Sequence, residues 1–158
     1  MDDIPPRAIG IVQLIAPWAR VVAAGLGSSL LIGAAPLATL DVRVAGLRSS
    51  YGLVRICLTA DPRAFPDCER DPVARHRSVA SDQAGHVRFE DLPIGDYAVS
   101  LFHDTNANGR LDKLLMLPKE GVGFSNNPRL RFGPPTFAEA RIRMTGDTAV
   151  TVRLRYFM

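Results

Sequence analysis

With 158 residues, 47% of them apolar and 22% charged, the chain has the composition of a globular protein rather than a disordered one. Its length suits one ordinary domain with an appendage and leaves little room for a second core. The formal net charge of +3 rests almost wholly on arginine, with lysine only at Lys113 and Lys119, and it is too small and dispersed for the clustered basic stripe of a nucleic-acid binder.

Residues 1–38 read differently from the rest. Arg7 and Arg20 precede an uncharged run from Val21 to Ala35, which ends in small residues before Pro36, Leu37 and Ala38. That order of charged start, apolar stretch and small-residue exit is the pattern of a secretory signal. The apolar run is shorter than the roughly 20 residues a permanent transmembrane helix needs. The expectation is therefore a cleaved signal over 1–38 and a single domain over 39–158, in the periplasm or secreted. No cysteine follows the apolar run closely, so no lipid anchor is expected. The chain has two cysteines, Cys57 and Cys68. In an oxidising compartment they would form a disulfide, whereas in a reducing one they would remain two thiols.

From Thr39 onward, short alternating runs are separated by Gly, Pro, Asn and Asp clusters, and no stretch keeps a helical period. Strands are expected around Leu40 to Val44, Leu53 to Thr59, Ser78 to Ser81, His86 to Glu90, Asp96 to His103, Thr136 to Met144 and Ala149 to Tyr156. About seven short strands without crossover helices predict an all-β fold, an antiparallel β-sandwich of immunoglobulin-like or transthyretin-like type. Leu92-Pro93-Ile94-Gly95-Asp96-Tyr97 sharpens this: Gly and Tyr two apart at the start of a strand suit a tyrosine corner, whose hydroxyl bonds back to the upstream backbone. The stretch also resembles the Leu-Pro-x-Gly-x-Tyr segment of transthyretin-like and carboxypeptidase-regulatory-like sandwiches. Two long stretches, Asp61 to Arg77 and Asn106 to Pro135, are read as irregular, and loops of that length are usually functional or disordered.

The sharpest local motif runs from His103 to Asp112. Asp104, Asn106 and Asn108 offer oxygens at alternate positions, Gly109 stands sixth, Arg110 seventh and Asp112 ninth, as in the first nine places of a calcium loop. Leu115 occupies the twelfth place, where a bidentate Glu would stand, so a true EF-hand is excluded. Glu120 could supply the missing carboxylate. The alternative is a loop whose Asx side chains bond their own backbone without any metal.

His103 shares a face with Tyr97, Val99 and Leu101 by the period-two rule, as a satisfied inward histidine or as a base or ligand at the mouth of the sandwich. Together with Glu120 and Ser125 it could form a hydrolase triad, but Ser125 lacks a Gly-x-Ser-x-Gly elbow. His103, Ser125 and Asn126 are kept as possible ligand-site residues. Arg141, Arg143, Arg153 and Arg155 alternate with apolar residues on the last two strands. They make either a solvated sheet face or a surface for an anionic envelope partner.

Four segments carry a family resemblance: Gly52 to Leu58, Leu92 to Asp112, Gly121 to Asn127 and Phe132 to Ala140. Together they resemble an uncharacterised bacterial family, domain of unknown function twenty-one forty-one. Where that family usually has Gly-Ile-Pro-Lys-Glu-Gly, this chain reads Met116-Leu117-Pro118-Lys119-Glu120-Gly121. The resemblance implies an exported sandwich and brings no activity, substrate or cofactor. The sequence thus points to a non-enzymatic binding or accessory module, with calcium as its one candidate cofactor and the hydrolase as the alternative.

Overall fold

The structure is a computed structural model that describes residues 35–130 and 133–158. The chain is mostly β, and none of its sheets closes on itself. Strands β1 (Leu37–Ala45), β4 (Val87–Pro93) and β10 (Thr148–Arg153) form one sheet in the order β10-β1-β4. Strands β2 (Leu53–Thr59), β3 (Arg75–Ala80), β5 (Gly95–Asp104) and β8 (Val122–Phe124) form a second in the order β3-β2-β5-β8, and β9 (Ile142–Met144) pairs with the start of β5. Strands β6 (Lys113–Leu114) and β7 (Leu117–Pro118) make a separate hairpin.

Alternation explains which residues lie between the sheets. Leu40 and Val42 of β1, Phe89 of β4, Val54, Ile56 and Leu58 of β2, Val99 and Leu101 of β5, Ile142 and Met144 of β9 and Val152 of β10 form one buried hydrophobic cluster. Removing such side chains from water is the main favourable term holding the sheets, at roughly 1.5–3 kcal/mol for each one fully buried. Tyr97 packs partly against this cluster and its hydroxyl donates to the Pro93 carbonyl at 2.8 Å, the tyrosine-corner bond. Burial raises the Tyr97 pKa, partly countered by Arg75.

Several expectations need correction. The first sheet is not wholly antiparallel, because β1 and β10 run parallel from Leu40 and Thr148 to Ala45 and Arg153. The strand expected from Thr136 to Met144 begins only at Ile142. Before it, Phe137–Ala140 is a helical turn closed by a capping box, with Thr136 accepting from the Glu139 N–H and Glu139 accepting from the Thr136 N–H. The stretch from Asn106 to Pro135 is not bare loop either, since it contains β6, β7 and β8. β3 starts at Arg75, inside the first supposed loop, and β10 stops at Arg153.

The expected signal lies outside the described residues up to residue 34. β1 begins at Leu37, paired with Pro93, so its first two residues fall within the 1–38 segment. Among the described residues, no helix is long and apolar enough to cross a membrane.

Candidate functional site

β5 carries the sequence motif out of the sheet, and its two faces have different fates. On the inner face His103 is wholly buried. Its Nε2 lies 2.8 Å from the Tyr51 carbonyl, which can only accept, so that nitrogen carries the proton. Nδ1 then accepts from the Tyr156 hydroxyl at 2.8 Å, and that oxygen in turn accepts from the Arg48 N–H at 3.2 Å. The Arg48 guanidinium covers the Tyr156 ring at 4.3 Å. Gly121 makes room for this ring, because a Cβ there would collide with it.

On the outer face, the antiparallel register sets Arg55 opposite Phe102, which makes Asp104 its diagonal neighbour. The Arg55 Nε donates to Asp104 Oδ2 at 2.6 Å. Asp104 is itself fully buried and organises the loop that follows it. Its Oδ1 accepts from the Asn108 N–H at 3.0 Å and its Oδ2 from the Gly109 N–H at 2.9 Å. Burial alone would raise the Asp104 pKa, but the Arg55 side chain and the Gly109 and Asn108 N–H groups outweigh it and hold the carboxyl below its ordinary range. Gly109 adopts φ +84°, a left-handed conformation that glycine takes without strain.

The other candidate ligands are tied in the same way. Asn106 Oδ1 accepts from the Asn108 N–H at 3.2 Å, and Asn108 Oδ1 from the Arg110 N–H at 2.8 Å. Asp112 accepts from the Asn106 and Asn108 side-chain amides at 2.9 and 3.2 Å. Glu120, also buried, accepts from the Thr105 N–H at 2.9 Å and the Asp112 N–H at 3.1 Å, stapling both ends of the loop. The structure therefore brings Asp104, Asn106, Asn108, Asp112 and Glu120 into one network whose oxygens face N–H donors. Among the described residues, no group of three or more His, Cys, Asp or Glu is placed to hold a metal ion.

The supposed triad is not linked by hydrogen bonds. Ser125 is fully buried, donates to the Ala140 carbonyl and accepts from the Val99 N–H at 2.9 Å. None of His103, Glu120 and Ser125 bonds another. Asn126 is exposed and donates to the Arg141 carbonyl at 2.7 Å. Its neighbour Asn127 donates to the Thr151 carbonyl and accepts from the Arg153 N–H, each at 2.7 Å, tying the end of β8 to β10.

The arginine stripe is divided between the two sheets, because β9 pairs with β5 and β10 with β1. Arg141 and Arg143 share the Asp96 carboxylate at 3.5 and 3.4 Å. Arg155 reaches the Asn127 carbonyl at 3.4 Å, and Arg153 is exposed.

Sequence reading missed a cleft of about 810 Å³ on the outer face of the second sheet. Two cross-strand rows form its floor: Ser78, Arg55, Phe102 and Val122 in one, His76, Cys57, Ser100 and Phe124 in the other. The stretch after β2 folds over one side. Cys68 lies at disulfide distance from Cys57, with Cα atoms 6.4 Å apart, and Ser100 donates to the Pro66 carbonyl. Phe65 packs edge-on against Phe124 and Phe137 at 5.9 and 6.2 Å. Leu111, Lys113, Met116 and Leu117 border the other side. Basic lining residues, Arg55, Arg77, Arg110 and Lys113, outnumber the acidic Asp67 and Glu69.

Fold and site together define a β-rich domain with an open cleft on one sheet face and a hydrogen-bonded Asx loop beside it. Residues 42–153 match the family described as uncharacterized protein conserved in bacteria (DUF2141), and the chain belongs to that family. No curated protein and no solved structure matches it.

Proposed function

We propose that this protein is an exported, non-enzymatic binding module of sandwich type, and that its ligand is a small amphipathic molecule with an anionic end. The observation that carries the reading is the cleft. Its volume of about 810 Å³ falls within the usual range of small-molecule sites, roughly 300–1,000 Å³, and its floor mixes apolar Phe102, Val122, Cys57 and Phe124 with polar Arg55, Ser78, His76 and Ser100. The excess of basic over acidic lining residues favours an anionic group on the ligand. The shared core of two sheets and the tyrosine-corner bond support the sandwich assignment. Export is supported by the signal-like pattern and the cysteine pair, and cleavage would fall before Leu37, where β1 begins.

The Asp104 to Asp112 loop is read here as the structural border of the cleft. Each carboxylate oxygen that could meet calcium already accepts from a loop N–H, a side-chain amide or Arg55, which favours the metal-free account. No observation favours the hydrolase, since His103, Glu120 and Ser125 are each engaged elsewhere. Anilinonaphthalene sulfonate, an apolar anion that fluoresces when shielded from water, is a suitable first probe. The reading expects saturable fluorescence that dodecanoate displaces and that Ser78→Trp, which fills the cleft, removes. Equal fluorescence from the Ser78→Trp protein would place the binding elsewhere.

A further inference from the structure

Among the described residues, one run of large apolar side chains stands at the border of the cleft and is far more exposed than that border requires. Leu114, Leu115, Met116 and Leu117 form the end of the β6–β7 hairpin, with Leu115 and Met116 at the tip 92% and 90% exposed and the flanking leucines 51% and 53% exposed. The hairpin pairs with no other strand among the described residues. Four consecutive exposed apolar residues carry an aggregation risk that a purely structural turn would avoid.

The backbone makes the choice of residue more unusual. Leu115 sits at φ +56°, a left-handed position that glycine or asparagine fills without strain and a bulky side chain does not. Holding leucine there gives up stability for an exposed apolar group, which is the trade expected of a contact surface. The charges flanking the tip indicate the partner. The chain's only two lysines, Lys113 and Lys119, bracket the hairpin, and Arg110 precedes it. All three are exposed, and none makes an ion pair among the described residues.

An apolar tip ringed by unpaired cations is complementary to one kind of surface: an anionic bilayer, whose acyl boundary accepts the leucines and methionine while its headgroups meet the lysines. We propose that the β6–β7 hairpin docks the protein peripherally onto anionic lipid, with Leu115 and Met116 entering the interface. The anionic-surface role considered for Arg141, Arg143, Arg153 and Arg155 fits this hairpin better, because Asp96 already occupies two of those arginines.

The test is co-sedimentation of the protein with vesicles of phosphatidylglycerol and phosphatidylcholine, against phosphatidylcholine alone. Binding to the anionic vesicles is expected, weakening with salt. The double variant Leu115→Asp/Met116→Asp should lower the partition coefficient roughly tenfold or more, and Lys113→Ala/Lys119→Ala on the order of tenfold. Leu115→Gly supplies a control against misfolding: it should raise the unfolding midpoint by relieving the left-handed leucine while weakening vesicle binding. Ser78→Trp, which blocks the cleft, should leave vesicle binding unchanged. Wild-type protein that stays in the supernatant overturns the proposal. So does a double variant that sediments like wild type, or one whose only defect is loss of self-association in analytical ultracentrifugation.

Discussion

The inner and outer faces of β2 and β5 belong to the same strands but do different work. Inward, Val54, Ile56, Leu58, Val99 and Leu101 meet the other sheet in a continuous apolar cluster, and His103 on the same face has both ring nitrogens bonded. Outward, Arg55, Ser100 and Phe102 face a cleft. The period of two in a strand lets alternate positions of one sequence build a core on one side and line a cleft on the other. Substitutions on the first face should register as stability, and those on the second as binding.

The largest effect is expected on the inner face. Leu101→Ala removes a buried side chain from the shared cluster and should lower unfolding free energy by about 2–5 kcal/mol, measured by urea denaturation. A loss under 1 kcal/mol would mean the two sheets are not packed on this residue.

Asp104 stands where the faces meet, and its effect should be intermediate. Asp104→Ala strips partners from Arg55 and from the Asn108 and Gly109 N–H groups, for a loss of about 1–3 kcal/mol. Its folded carboxyl titrates below the ordinary 3.8, so the unfolded chain takes up the proton first as pH falls. The stabilisation is complete above about pH 5 and is lost as pH drops through 3.8 toward the folded value. Wild-type stability should therefore fall across that window more steeply than that of Asp104→Ala. With the loop bonded to itself, millimolar calcium should leave the wild-type midpoint where chelator leaves it. A calcium-dependent rise that Asp104→Ala abolishes would restore the metal reading of Asp104, Asn106, Asn108, Arg110, Asp112 and Glu120.

The smallest stability effect belongs to the exposed outer face. Asp96→Ala frees Arg141 and Arg143 from a solvent-exposed pair, and thermal unfolding should show a change within about 0.5 kcal/mol. A larger loss would make that pair part of the anchoring of β9 to β5.

What was legible in the sequence follows the same division. Alternation over Leu53 to Thr59 and Asp96 to His103 marked β2 and β5 within a residue or two, because a half-buried strand writes its period directly into the chain. The Tyr97 corner and the Asx character of the loop were also readable, since both are local bonds between near neighbours. The cleft was not, because its floor combines residues as far apart as His76 and Phe124, which only strand register brings together. Arg55 was overlooked for the same reason: its partner Asp104 lies 49 residues away and is a diagonal neighbour only once β2 and β5 pair. The helical turn at Phe137–Ala140 did have a local signal, the Thr136 and Glu139 capping box, hidden in a run that also alternates. The parallel pairing of β1 with β10 joins residues too far apart for any local motif to report.

The claim that the outer face is a binding surface is tested most directly by nuclear magnetic resonance titration of the isotope-labelled domain with dodecanoate. The account predicts saturable amide shifts concentrated at Arg55, His76, Ser78, Ser100 and Phe102, with Leu40, Val42 and Val152 in the opposite sheet unmoved. No shifts at millimolar ligand, or shifts centred on that opposite sheet, would contradict it.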